Sequence, residues 1–429
     1  MSATEHTHDE SVGHDHNDVD PELSIDERLV LEADEQHLHE SDNDEEPRVG
    51  PLELFFDLVF VFAITQVTTL LSQELIWANM VRGLAILSVV WWSWAGFSWL
   101  TNLVKADDGW ARLAMFASMG AMLIVSLAVP EAFSTGGVTF GIAYLALSSL
   151  YIVTYAVLTR GDPALFKSVL RLAVGVTLAP IFILIAGFLD AGPARAALWA
   201  AAVIILYVGA FGSGTNWRVH PAHFAERHGL IVIIALGESI VAIGIGASAL
   251  HLDAAAIAGS LLGLVVAAAL WWLYFDVVAL VAERRLTSAE GRDQVRMARD
   301  SYTILHLPMV AGIVFFALGV KKVLVKPYVP LNVVALTALL GGVALYLIAH
   351  VLFRYRNTRS WNVQRMVVSA LLIGGIIALR GVGAIEVLVI VAIVLVILTA
   401  YETYKFREAR HAIRDHGAGG NWTKGPPPR

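Results

Sequence analysis

The sequence predicts an all-α polytopic membrane protein of about twelve transmembrane helices, arranged as two parallel six-helix repeats. Three observations carry this. Of 429 residues, 57% are hydrophobic and 16% charged, whereas soluble domains hold about a quarter charged residues. Apolar runs of about 18 residues or more, enough to cross a hydrocarbon core of about 30 Å, recur along the chain. Lys and Arg gather between alternate runs, as the positive-inside rule requires.

The runs lie near 52–71, 81–100, 110–129, 138–158, 168–188, 195–212, 229–250, 255–281, 302–320, 331–352, 363–380 and 383–402. With both termini cytoplasmic, 24 of the 30 Lys and Arg fall inside, and Arg82, Arg195, Lys321, Lys322, Lys326 and Arg380 fall outside. That asymmetry fixes the expected orientation. The stretch ERRLTSAEGRDQVRMARD (283–300) reads as the main cytoplasmic loop. The first apolar helix is expected to serve as its own uncleaved insertion signal, because an acidic rather than a basic stretch precedes it.

Four regions follow: an acidic tail (1–47), two membrane halves (48–215 and 216–403) and a basic tail (404–429). Residues 1–50 hold 17 Asp and Glu against Arg28 and Arg48. With no apolar periodicity, the tail reads as disordered. Its histidines (His6, His8, His14, His16, His37, His39) are of a type that binds divalent metals loosely, but the composition favours a solvated low-complexity tail. The duplication is suggested by VVWWSWAGF (89–97) and ALWWLYFDV (269–277), a Trp pair in the second helix of each half. Six helices per half give both halves the same orientation. With no cysteine in the chain, disulfides, thiolate metal sites and Cys nucleophiles are excluded.

The first helix, PLELFFDLVFVFAITQVTTLL (51–71), carries Glu53 and Asp57 four residues apart, hence on one face. Val61, Thr65, Thr68 and Ser72 continue that face as a polar stripe. An ionised Asp at a helix centre costs about 3 kcal/mol, so Asp57 is expected to face protein or water rather than lipid. Two structural roles compete with a functional one. Glu53 would cap the positive helix end, and Asp57 would pair with an Arg from another helix.

A second constellation, HPAHFAERHGLIVIIALGESIVAIGIGAS (220–248), places His220, His223, Glu226, Arg227 and His228 at a helix mouth and Glu238 mid-span. Metal ligation by His220, His223 and Glu226 competes with a plain interfacial role. Gly237, Gly244 and Gly246 would allow close backbone approach, and GSLLG (259–263) is a small-xxx-small packing motif. Asp276 follows the second Trp pair, His306 is expected to begin helix 9 beside a kinking Pro308, and His350 with Arg354 reads as an interface anchor. The P-loop, HExxH and GxSxG motifs do not occur, which disfavours an enzyme of those classes; no cofactor is expected. Basic residues follow topology, so no nucleic-acid partner is expected.

PLELFFDLVFVFAITQV and HFAERHGLIVIIALGESIVAIG resemble the signature segments of the bacterial low temperature requirement A family, a likeness extending over 48–402. The resemblance implies a multi-pass protein of the bacterial cytoplasmic membrane and singles out Glu53, Phe56, Asp57, Glu226, Arg227, His228, Gly237 and Glu238. The expected function is transport or conduction of a small ion or solute, with proton coupling as one form. Candidate binding residues are Glu53, Asp57, Glu226, Arg227, His228, Glu238 and Asp276. A non-catalytic sensor or scaffold in cold or stress adaptation and a membrane-embedded lipid-modifying enzyme are the alternatives. The partners expected are the lipid bilayer, the transported species and, as an open option, further copies of the chain.

Overall fold

Proline, Asp and Asn punctuate the chain where its helices begin. In the computed structural model, which describes residues 49–103, 109–248 and 253–407, they form twelve helices. These are α1 (Pro51–Gln73), α2 (Trp77–Thr101), α3 (Gly109–Glu131), α4 (Gly137–Leu158), α5 (Pro163–Gly187), α6 (Pro193–Gly212), α7 (Pro221–Ala247), α8 (Ala254–Thr287), α9 (Gly291–Val325), α10 (Val333–Thr358), α11 (Val363–Ala378) and α12 (Ala384–Lys405). Proline opens α1, α5, α6 and α7, where its missing N–H loses no helical bond. Asp162, Asp253, Asn332 and Asn362 cap α5, α8, α10 and α11 through side-chain oxygens.

Eleven of these helices are long and apolar enough to cross a membrane. α11, with 16 residues, is about 24 Å long. It nonetheless traverses the same interval as α12. Arg365 in its first turn bonds Glu402 near the end of α12, and its last turn leads through a short connection to Gly383, where α12 begins.

The stretch 283–300 is not a loop. α8 continues to Thr287 and α9 restarts at Gly291, leaving a three-residue turn. Charge marks where a helix leaves the hydrocarbon, but Arg, Glu and Gln are good helix formers and do not end it. His306 opens the regular α-helical part of α9, His306–Val325, as expected, although α9 as a whole begins at Gly291. It follows a π-helical stretch, Ala298–Ile304. Pro308 has no N–H to offer the carbonyl of Ile304, so the distortion ends where a donor is missing.

α9 is the axis of the bundle. It packs on α1, α2, α7, α8, α10 and α12, and its glycines permit the closest approaches. A Cβ on Gly312 would lie 2.6 Å from the Gly342 carbonyl, and one on Gly319 2.7 Å from Leu339 Cα. Gly259 and Gly263 of GSLLG also pack tightly, against Leu324 and Ile243. Gly237 and Gly244 do not: no atom lies within 4 Å of the position their Cβ would take. Glycine spacing alone does not say which helix face meets a neighbour.

Helices of the two halves interlock, with α1 on α7 and α9, and the described residues make one compact unit. The Trp pairs occupy unlike environments: Trp91 and Trp92 are buried, whereas Trp271 and Trp272 are 42% and 40% exposed. They therefore lend the duplication no support. α1 and α7 run parallel, side by side, and this brings the acidic helix against the basic one.

Candidate functional site

Helix geometry turns Glu53 and Asp57 to the same side of α1, where they meet Arg227, seven residues into α7. The guanidinium holds both carboxylates. Nη1 donates to Glu53 Oε1 at 3.1 Å and Nη2 to Asp57 Oδ1 at 2.6 Å. Nη1 also donates to Thr101 Oγ1 at 2.8 Å, and Trp94 Nε1 donates to Asp57 Oδ1 at 2.8 Å, both from α2. Arg227 and Asp57 are fully buried. In this low-dielectric setting, charge on one group has to be answered by charge on another.

Glu53 has two duties. It closes the first turn of α1 by accepting from Gly50 N at 2.9 Å, as an N-terminal acid should, and it takes the ring of His223, whose Nε2 lies 2.9 Å from Oε2. The proton on that ring can be placed. His220 N donates to Asn102 Oδ1 at 2.7 Å, which fixes the amide so that Asn102 Nδ2 points at His223 Nδ1, 3.2 Å away. Nδ1 is then the acceptor and Nε2–H the donor, the pattern of a neutral imidazole. Two carboxylates thus share one guanidinium. Asp57 Oδ2 is buried without a hydrogen-bond partner.

Beyond Trp94 lies a core of aromatic and imidazole rings. His228 packs edge-on to Trp94 at 5.0 Å and against His306 at 5.2 Å. His306 Nε2 and the Tyr274 hydroxyl are 2.8 Å apart, and Tyr274 meets the His350 ring at 5.5 Å. His350 Nδ1 lies 2.6 Å from Arg365 Nη1, and Arg365 pairs with Glu402 at 2.7 Å. This row joins two Arg–carboxylate clusters laterally. Both sit towards the end of the bundle where α1 and α7 begin.

Glu238 stands apart. It accepts from Thr65 Oγ1 at 2.7 Å, and Thr65 is eight residues beyond Asp57, about 12 Å further along the axis. Buried Phe60, Ile64, Ile231 and Ala235 fill the interval. Asp57 and Glu238 therefore occupy two polar layers with apolar packing between them. Glu226 turns outward and accepts from Val49 N at 3.1 Å, so His220, His223 and Glu226 do not converge. Asp276 lies on a separate cavity with Arg365 and Glu402.

Of the residues singled out from sequence, Glu53, Asp57 and Arg227 come together, His228 abuts them, and Glu226, Glu238 and Asp276 do not join them. Sequence reasoning left His223 as a helix-mouth residue and passed over Trp94, Thr101, Asn102, Arg365 and Glu402. Arg227 and Arg365, two of the bases expected on the cytoplasmic side, are 0% and 4% exposed. His350 is fully buried too, not an interface anchor. The one signal available was that Arg227 follows Pro221 by more than a turn, already inside a helix.

Comparison with known proteins agrees with this architecture. The family model "Bacterial low temperature requirement A protein (LtrA)" matches residues 48–400. The chain belongs to that family. It is also similar to an uncharacterised protein of Rhizobium meliloti (strain 1021), 32% identical over 331 residues, 73% of this chain and 79% of the relative.

Proposed function

We propose that this member of the low temperature requirement A family is a proton-linked transporter or channel for a small ion or solute in the bacterial cytoplasmic membrane. The observation that carries the reading is the charge count around Arg227. Two buried carboxylates, one guanidinium and a neutral His223 leave one negative charge without a counter-charge. Such a charge is costly away from water. A proton or small cation on Asp57 Oδ2 would balance it, and that oxygen has no other partner.

Glu238 with Thr65 forms a second polar station, separated from the first by apolar packing. Two polar layers divided by a dry interval are what an occluded pathway requires, since a continuous polar channel would leak. Movement of α1 along α7 would join them. The alternative reading, a non-catalytic scaffold, has one observation in its favour: Arg227 bonds both acids as a structural clamp would.

Flux separates the two. Purified protein in liposomes carrying a pH-sensitive dye is given gradients of protons, Na+ and K+ in turn. Wild type is expected to move protons, and Asp57→Asn to abolish the flux while keeping its helical content and elution volume. Wild type without flux under every gradient, together with an Asp57→Asn variant changed only in melting temperature, would leave the scaffold reading standing.

A further inference from the structure

A cavity of about 300 Å³ lies between α8, α10, α11 and α12, apart from Arg227. Its size is at the small end of the range for ligand pockets. Trp272, Val277, Phe353 and Phe406 make much of its wall apolar. Next to Ser360 on that wall, the Trp361 ring stacks on Tyr355 at 4.1 Å and is 51% exposed. Aromatic side chains so placed, where one helix gives way to the next, mark the membrane–water interface. The cavity therefore sits at head-group depth.

The acids on its wall are engaged. Glu402 Oε1 accepts from Arg365 Nε and Asn362 Nδ2, and Oε2 from Arg365 Nη2. Arg365 is used up in turn, on Glu402, His350 and the Leu273 carbonyl. Asp276 has a partner of its own.

Arg354 is the charge left over. Its Nε donates to Ser360 Oγ at 3.0 Å, and that serine is itself fixed. Thr358 Oγ1 donates to the Arg354 carbonyl at 2.9 Å, so Ser360 is the donor in the 2.7 Å contact between the two hydroxyls. This closed chain holds the guanidinium by its Nε. Nη1 and Nη2 have no acceptor among the described residues, and neither is fully enclosed. No described carboxylate lies within ion-pair distance of Arg354, whereas Arg356 and Arg365 each have one. A guanidinium held at Nε presents its two remaining nitrogens as a rigid fork, the geometry that takes an oxyanion through two bonds.

We infer that this cavity seats an anionic phosphate ester, with its phosphate on Arg354 Nη1 and Nη2 and its apolar part against the aromatic wall. Two sources share that chemistry: the head of an anionic phospholipid such as phosphatidylglycerol, and a free phosphate ester. Basic pockets between transmembrane helices are a recurring seat for the first. A zwitterionic head would bring an ammonium for which the wall holds no uncommitted acid, so a net negative head is favoured.

The test uses the full chain purified in detergent and reads binding directly, so it is independent of the flux experiment above. Native mass spectrometry compares phosphatidylglycerol with phosphatidylethanolamine, and calorimetric titration compares glycerol 3-phosphate with glycerol. Wild type is expected to retain phosphatidylglycerol in preference to phosphatidylethanolamine, which names the bilayer as the source. Binding of glycerol 3-phosphate without a lipid preference names the free ester. Arg354→Gln is expected to weaken whichever ligand binds by about tenfold or more, the effect of losing a charge-assisted hydrogen bond. Arg359→Gln removes the same charge from an exposed residue outside the cavity and is expected to change binding by less than about twofold, because salt screens an exposed charge. The inference is overturned if the wild type shows neither the lipid preference nor glycerol 3-phosphate binding, a result that needs no variant to fold. It is equally overturned if Arg354→Gln loses no more than Arg359→Gln does.

Discussion

Arg227 Nη2 stands 2.6 Å from Asp57 Oδ1, and neither side chain has any exposed surface. Removing one partner of such a pair leaves the other charge buried alone, at a cost of about 3–5 kcal/mol. Arg227→Met is therefore expected to lower stability in detergent by about that amount, because it strands two carboxylates. Asp57→Asn strands no acid and keeps an acceptor for Trp94 and Arg227, so it is expected to cost less. Combining Glu53→Gln and Asp57→Asn with Arg227→Met should recover much of the loss. Thermal melts followed by circular dichroism measure all three. A triple variant no more stable than Arg227→Met alone would show that packing, not charge, makes the site stable.

Close backbone contact between α9 and α10 gives a second expectation. A Cβ at Gly312 meets backbone atoms of Gly342 and Tyr346 at 2.6 and 2.8 Å, and backbone has no rotamer by which to move away. Gly312→Ala is expected to destabilise by about 1–3 kcal/mol. Gly374 on α11 has no atom within 4 Å of its Cβ position. Gly374→Ala is expected to be neutral, or stabilising by up to about 1 kcal/mol, through lost backbone entropy. Equal melting temperatures for the two variants would contradict the packing argument.

Topology is the third. With an even number of traverses, α11 spanning the interval of α12, and most basic residues between alternate helices, the start of α1 and the end of α12 are both expected on the cytoplasmic side. Reporter fusions after residues 133, 190 and 328 should report the outside. If the fusion after 328 reports the cytoplasm while the other two do not, a crossing between 190 and 328 has been misread.

The fourth concerns pH at the start of α5. Asp162 accepts from the backbone N–H groups of Leu165 and Ala164 and pairs with Arg218 at 2.8 Å. The backbone bond from Leu165 comes first among the causes that hold its carboxyl below the usual Asp range. A lowered folded-state value means the cap is fully effective above the ordinary Asp pKa and is lost as pH falls through the lower, folded value. Hydrogen exchange should therefore show protection of the Leu165 amide persisting at pH 4 and fading only below it. Loss of protection already at pH 5, or protection equal in Asp162→Ala, would refute the cap.

By itself the sequence determined the membrane character, the number of apolar segments and the identity of the acids that had to be buried. Those follow from transfer energies that each segment feels alone. It also offered the choice for Asp57 between a transport site and an Arg partner. The partner's identity was decided in three dimensions, because Arg227 is 170 positions away and reaches Asp57 only when α1 and α7 lie parallel. That Arg227 and Arg365, two of the bases expected on the cytoplasmic side, are buried was not legible, since hydropathy sees a charge near a helix end and not what faces it. The turn at 288–290 and the His228–His306–Tyr274–His350 row were likewise invisible. The first needs helix propensity to outweigh charge, and the second joins rings from four helices whose contacts no period along the chain encodes. Local energetics set which residues must avoid lipid, and tertiary packing alone set what each of them meets.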